Sequence, residues 1–205
     1  MDYYTYRDEA LEAIARKIIS KYDPRLLQNP SPIPIEAIIE KSYGLTIEFQ
    51  CLRKNGRVLG ETVFENAMIP IYEYENQEGY KLVPVKAGTV IIDARLLDCR
   101  NDGRFRYTCA HELAHWVLDK EYFMELGKTA AMTQKAVKSS ETDIAIERQA
   151  NRLACRILMP KGTVKMAFYD NFKKTNNIVS TLVKQFGVSN EAMRIRLSEM
   201  GLITL

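Results

Sequence analysis

Histidine is nearly missing from this chain of 205 residues: there are only two, beside a single tryptophan. Any metal site built on three imidazoles is therefore excluded. Cysteine is sparse too. Cys51, Cys99, Cys109 and Cys155 include no C-x-x-C pair, which gives no sign of a zinc ribbon or a disulfide framework. No apolar run approaches the roughly 20 residues of a membrane-spanning helix. The opening Met1-Asp2-Tyr3-Tyr4-Thr5-Tyr6-Arg7-Asp8 lacks the basic and apolar regions of a signal peptide. Net charge is only +3, and no internal repeat or low-complexity segment is present. These absences lead to the expectation of a soluble cytoplasmic protein with free thiols and no membrane partner.

What is present is concentrated. Both histidines fall in His111-Glu112-Leu113-Ala114-His115. On a helix, residues i and i+4 stand one above the other, so two imidazoles at this spacing can grip one metal ion. The glutamate between them lies about a quarter turn away, within reach of a water on the metal rather than the metal itself. This is the H-E-x-x-H pattern of zinc peptidases. The flanking residues from about 104 to 119 contain no Gly or Pro and are largely apolar, as expected of one buried helix following a turn at Asn101-Asp102-Gly103. The competing reading, an exposed helix with incidental histidines, fits that apolar setting poorly, because buried imidazoles need polar partners.

Such sites use three protein ligands, and with no third histidine the third must be a carboxylate or, less favoured, a cysteine. Glu141 to Met159 reads as a helix stopped by Pro160. On it, Glu147 lies within about 60° of Ile144, Ala150, Asn151, Ala154 and Leu158, on a face apart from the Arg148, Arg152 and Arg156 stripe. A carboxylate on an apolar face needs a cation. Glu147 is thus the favoured ligand and Asp143, one turn earlier, the second choice. Glu121 and Glu125 sit nearer the histidines, in a stretch from about 120 to 140 that reads as irregular with room for one loose helix. Two imidazoles and a carboxylate suit one Zn2+ per chain and also accept Mn2+.

Elsewhere the periodicity marks an amphipathic helix from about 6 to 22, with Leu11, Ile14, Ile18 and Tyr22 on one face. It is ended by prolines from Pro24 to Pro34. A short helix follows around Ile35 to Lys41. Leu45 to Phe49 alternates as a strand, and Asn55-Gly56 predicts a hairpin returning through Val58-Leu59 and Thr62 to Phe64. A second strand pair is expected at Tyr80 to Val85 and Thr89 to Asp93, with Tyr72 to Gly79 as a surface loop. The sheet should be small and antiparallel. After Pro160 the chain is helical, and seven basic against three acidic residues leave residues 161–205 at net +4. Ile178 to Phe186, Gly187-Val188-Ser189 and Asn190 to Met200 look like a helix-turn-helix, with Ser189 capping the second helix and Arg194 and Arg196 on or near its exposed side.

Two segments together resemble the ImmA/IrrE family of metallopeptidases. They are Arg106-Tyr107-Thr108-Cys109-Ala110-His111-Glu112-Leu113-Ala114-His115, and Glu147-Arg148-Gln149-Ala150-Asn151-Arg152-Leu153-Ala154 followed by Leu158-Met159-Pro160. Thr89 to Asp93 and Pro34 to Ile38 fit as well. The resemblance implies His111, His115 and Glu147 as zinc ligands, Glu112 as catalytic acid/base, and Asn151 beside the ligands rather than on the metal. It implies cleavage of a helix-turn-helix transcriptional repressor, releasing the genes that it silenced in a mobile element or stress response. Tyr107, Tyr122, Arg104 and Arg106 are candidates for stabilising the oxyanion, and a sheet edge beside the metal helix is a place to hold substrate as an added strand.

The expected architecture is α+β: a zincin-like core of residues 1–160 with N-terminal helices, a small antiparallel sheet, the H-E-x-x-H helix and the ligand helix, then a helical helix-turn-helix-like subdomain at 161–205. The competing function is a non-catalytic zinc-containing regulator that binds a repressor or DNA through its C-terminal helices. Direct DNA contact is the weaker of these, because two arginines are a thin electrostatic footprint.

Overall fold

The structure, a computed structural model, describes residues 3–73, 79–98, 102–125 and 141–204. The architecture is mixed α+β. Helix α1 spans Asp8–Tyr22. Its acidic first turn, Asp8 and Glu9, suits the positive end of the helix dipole. Leu11 and Ile18 are buried, with Ile14 and Tyr22 packed beside them, as the sequence periodicity predicts. A short α2, Ile35–Ala37, widens into a π-type turn over Ile38–Ser42.

Five strands follow: β1 Thr46–Gln50, β2 Gly60–Val63, β3 Ala67–Glu73, β4 Gly79–Val85 and β5 Thr89–Asp93. Their pairing departs from the expected antiparallel sheet. β5 is the centre of a three-stranded mixed sheet in the order β1-β5-β2, parallel to β1 and antiparallel to β2. β3 and β4 pair with each other in a separate antiparallel ribbon. Asn55-Gly56 does turn the chain, but the strands on either side of it flank β5 instead of pairing. Likewise, β4 pairs with β3 rather than with β5. The cause lies in β5 itself. Val90, Ile91 and Ile92 are all fully buried, and a continuous apolar run needs neighbours on both edges and cover on both faces. Two of the residues assigned to a loop, Tyr72 and Glu73, extend β3, and Gly79 begins β4; residues 74–78 lie outside the described ones.

After α3, Arg95–Asp98, comes α4, Asp102–Leu118, which carries the histidine motif. Asp102 and Gly103 already belong to this helix; Asn101 lies outside the described residues. α5, Lys120–Glu125, is regular and holds both Glu121 and Glu125 on its exposed side, so the start of the stretch read as irregular is helical. Residues 126–140 of that stretch are outside the described ones. α6, Glu141–Leu158, packs along α4. Ala110 and Ala114 on α4 and Ala150 and Ala154 on α6 share one buried core, and side chains this small let two helix axes approach closely. α4 also packs against β2 and β5. The motif is thereby held between a sheet edge and α6.

The chain ends in α7 Lys161–Asn171, α8 Ile178–Phe186 and α9 Asn190–Glu199. Phe168, Leu182, Phe186, Met193 and Leu197 join the same core as α1 and α4. Gly187 makes the left-handed turn between α8 and α9 (φ +63°), a conformation that costs glycine nothing. The Ser189 hydroxyl caps α9 by accepting from the Ala192 N–H at 3.1 Å. Arg194 is exposed as expected, whereas Arg196 is only 2% exposed. Arg196 donates to the Met159 carbonyl and to Glu12. Arg156, assigned to a basic stripe, is buried too and pairs with Asp8. Guanidinium groups satisfy burial when carboxylates on neighbouring elements meet them, and α1 supplies both acids. No described helix is long and apolar enough to cross a membrane.

Candidate metal centre

The spacing of α4 and its packing on α6 bring three donor side chains to one point. His111 and His115 face each other with Nε2···Nε2 at 2.9 Å. Glu147 reaches across from α6, Oε2 to His111 Nε2 and Oε1 to His115 Nε2, both at 3.7 Å. One ligand atom from each lies within 4.8 Å of the others. Zinc–nitrogen and zinc–oxygen bonds of about 2.0–2.1 Å at tetrahedral angles require donors about 3.3 Å apart. Separations of 2.9 and 3.7 Å bracket that value, so the three residues fit one such ion. Asp143 lines the same cleft but is not among these three. Glu147 stands on the rim of an open cleft rather than within an apolar face: its side chain is 25% exposed, and Ile144 beside it is 49% exposed.

His115 is anchored from behind. Its Nδ1 lies 2.7 Å from Oδ2 of the buried Asp119, which directs Nε2 toward Glu147. Burial opposes charge on this imidazole, but the hydrogen bond and charge of Asp119, with Glu112 and Glu147 nearby, outweigh it and lift its pKa to about 9. Asp119 was not singled out from the sequence, although its i+4 spacing from His115 was the available signal.

Glu112 occupies a different environment, 2% exposed between α4 and β2. The Thr62 hydroxyl lies 2.7 Å from Glu112 Oε2 and 2.9 Å from the Glu112 carbonyl. Burial raises the Glu112 carboxyl to about 7, against the lowering effects of His115 and Thr62. Gly60 presses on the same group. A Cβ at that position would stand 2.4 Å from Glu112 Oε1, so any side chain there must displace the carboxyl. Neither Thr62 nor Gly60 carries a sequence signal linking it to a motif fifty residues on.

The cleft in front of these groups has a volume of about 270 Å3 and is bounded by Arg57 to Gly60 on one side and by α4 and α6 on the other. Tyr107 and Asn151 also line it, joined by a 2.6 Å hydrogen bond from the phenol to Asn151 Oδ1. Burial raises the Tyr107 pKa, which keeps this phenol protonated. The other oxyanion candidates point elsewhere. Arg106 donates to the carbonyls of Gly187 and Ile33. Tyr122 packs edge-on against Tyr3. Arg104 is exposed and borders a separate cavity beside α9. Glu121 and Glu125 are not among the converging donors.

The family model of the IrrE N-terminal-like domain, Peptidase_M78, matches residues 89–198, from β5 through α9 short of its last residue, Glu199. A solved structure, a Mycobacterium tuberculosis transcriptional regulator, is similar over 96% of this chain at 15% identity and a TM-score of 0.52. That likeness is one of fold, and this chain spans 47% of that regulator. No curated protein matches the chain. With more than half of its residues matched, the chain belongs to the IrrE N-terminal-like domain family, Peptidase_M78.

Proposed function

We propose that this protein is a zinc-dependent endopeptidase that hydrolyses a peptide bond in a helix-turn-helix transcriptional repressor. The observation that carries this reading is the pairing of a His111, His115 and Glu147 donor set with a separately held carboxyl, Glu112, in one open cleft. A structural zinc site has no use for the latter. Membership of a peptidase family supports the reaction class. The similarity to a transcriptional regulator supports a regulatory setting, and the repressor is the proposed substrate.

His111, His115 and Glu147 would hold one zinc ion, with manganese an acceptable substitute. When bound, zinc polarises a carbonyl and lowers the pKa of water toward about 7. The chain's own groups do the rest. Glu112, with a pKa of about 7, accepts a proton from the attacking water and returns it to the leaving amine, the role to which a carboxyl poised near neutrality is suited. Thr62 fixes the orientation of Glu112, and Gly60 sets its depth. The 57–60 segment leading into β2 borders the cleft. Substrate laid along it as an added strand would present its carbonyl to the donors. Of the oxyanion candidates Tyr107 lines the cleft, and to serve as donor its O–H would turn from Asn151 Oδ1, to which it is now given, toward the substrate. Residues 1–160 would form the zincin-like peptidase unit and residues 161–205 a helix-turn-helix-like docking element, in the cytoplasm. Burial of Arg196 leaves Arg194 as the exposed arginine of α9, a small footprint for DNA.

Comparing new protein N-termini in cells that express wild type or Glu112→Gln tests this. Wild-type-specific termini inside a helix-turn-helix repressor are expected. Zinc-loaded wild type that yields none would leave the non-catalytic regulator as the better account.

A further inference from the structure

One short segment, Tyr3 to Tyr6, contacts a residue next to each half of the donor set, Asp119 behind His115 and Gln149 beside Glu147. The Tyr3 phenol donates to Asp119 Oδ1 at 2.6 Å, while the other oxygen of Asp119 holds His115 Nδ1 at 2.7 Å. Asp119 is fully buried at the junction of α4 and α5. Two residues beyond Glu147, the buried Gln149 is clasped on both ends of its amide. Its Nε2 donates to the Tyr4 carbonyl at 3.0 Å and its Oε1 accepts from the Tyr6 N–H. The Tyr3 ring is seated edge-on against Tyr122, beside a small cluster of Phe64, Phe123 and Ile146. Phe64 follows β2, and Ile146 directly precedes Glu147.

We propose that Tyr3 to Tyr6 is a positioning strap for the metal ligands, fixing His115 through Asp119 and the Glu147 helix through Gln149. The physical reason is torsional. An aspartate's terminal torsion is broad, so one hydrogen bond to His115 leaves the carboxylate plane soft. A second contact on its other oxygen sets that plane. The plane in turn sets the imidazole tautomer, with Nδ1–H on Asp119 and the Nε2 lone pair directed to the metal. The Gln149 clasp ties α6 to the same segment. The distance between the histidine and glutamate donors is therefore braced by a piece of chain that touches neither. Tyr3, Tyr4 and Tyr6 are positioning residues and not ligands.

This inference rests on the zinc-site reading, and the test separates the two. Zinc affinity of the full chain is measured by competition with a chromophoric chelator for wild type, Tyr3→Phe and Tyr169→Phe. The visible spectrum of the Co2+ form and the melting temperature of each metal-free protein are recorded alongside. Loss of an outer partner of a metal-bound histidine weakens binding by about 10–100-fold. Tyr3→Phe, which removes one hydroxyl and keeps the ring, should weaken zinc about tenfold and shift the Co2+ bands. Tyr169→Phe, the same change at an exposed tyrosine of α7 outside the strap, should do neither. Wild-type affinity and spectrum in Tyr3→Phe would overturn the strap, as would a lowered melting temperature with unaltered affinity. A wild-type protein that binds no zinc would overturn the site reading and the strap together.

Discussion

Thr62 and Glu112 stand fifty residues apart in the chain and 2.7 Å apart in the fold. The hydroxyl comes from the edge strand of the mixed sheet and the carboxyl from the middle of the histidine helix. Their contact ties the proposed proton carrier to the strand whose entry segment borders the cleft.

Replacing Thr62 by Val keeps the shape and removes the hydroxyl. Thr62 lowers the Glu112 pKa against the larger effect of burial, so its loss moves that pKa further up. The acid limb of the pH–rate profile, which reports deprotonation of Glu112, should shift to higher pH by about one unit, the size expected for a hydrogen bond to a charged group. Zinc content should be unchanged. An acid limb that stays in place would show that Thr62 does not act through Glu112.

Gly60→Ala is the sharper steric test. The new Cβ would meet Glu112 Oε1 at 2.4 Å and Cγ at 2.7 Å, and one or both groups must move. A displacement near 1 Å at a reacting group costs about 100-fold in rate. Hydrolysis should fall by about that factor while circular dichroism and zinc binding are retained. Wild-type turnover would mean that Glu112 is not held where the reaction needs it.

The metal-free protein should lose stability as pH rises. In the folded state Glu112 titrates near 7 and His115 near 9, against about 4.3 and 6.5 in an unfolded chain. Both folded values are raised, so both groups bind protons more tightly when folded. Their stabilising contribution is complete below pH 4 and is lost as pH climbs through 7 for Glu112 and 9 for His115. Urea denaturation at pH 5 and pH 9 should differ by a few kcal/mol in that direction, after correction with a Glu112→Gln, His115→Gln protein. Greater stability at pH 9 would reverse the sign of the account. Zinc should flatten the dependence, because binding requires the neutral imidazole.

Much of the candidate site's geometry is legible in the sequence because its signals are local. His111, Glu112 and His115 are set by helical spacing alone. Glu147 converges with the histidines as its helix position suggests, although it stands on the rim of a cleft and not on the apolar face that the periodicity predicts. Helix periodicities such as Leu11 and Ile18 survive into the fold for the same reason, as does the Ser189 cap. Strand pairing is not local. β5 reads as the partner of the strand just before it, yet its wholly buried run places it between β1 and β2, from which the Thr62 and Gly60 contacts with Glu112 follow. Arg196 and Arg156 look like solvated charge until Glu12 and Asp8 of α1 arrive from the other end of the chain. Asp119 lay within reach of the same spacing rule that found the histidines.

The most direct measurement is the metal content of purified wild type beside Glu147→Ala, by elemental analysis. The account predicts about one tightly held zinc per wild-type chain and clearly weaker loading in the variant, with its fold intact. Equal zinc in the two proteins would contradict it, removing Glu147 from the centre and turning attention to Asp143 in the same cleft.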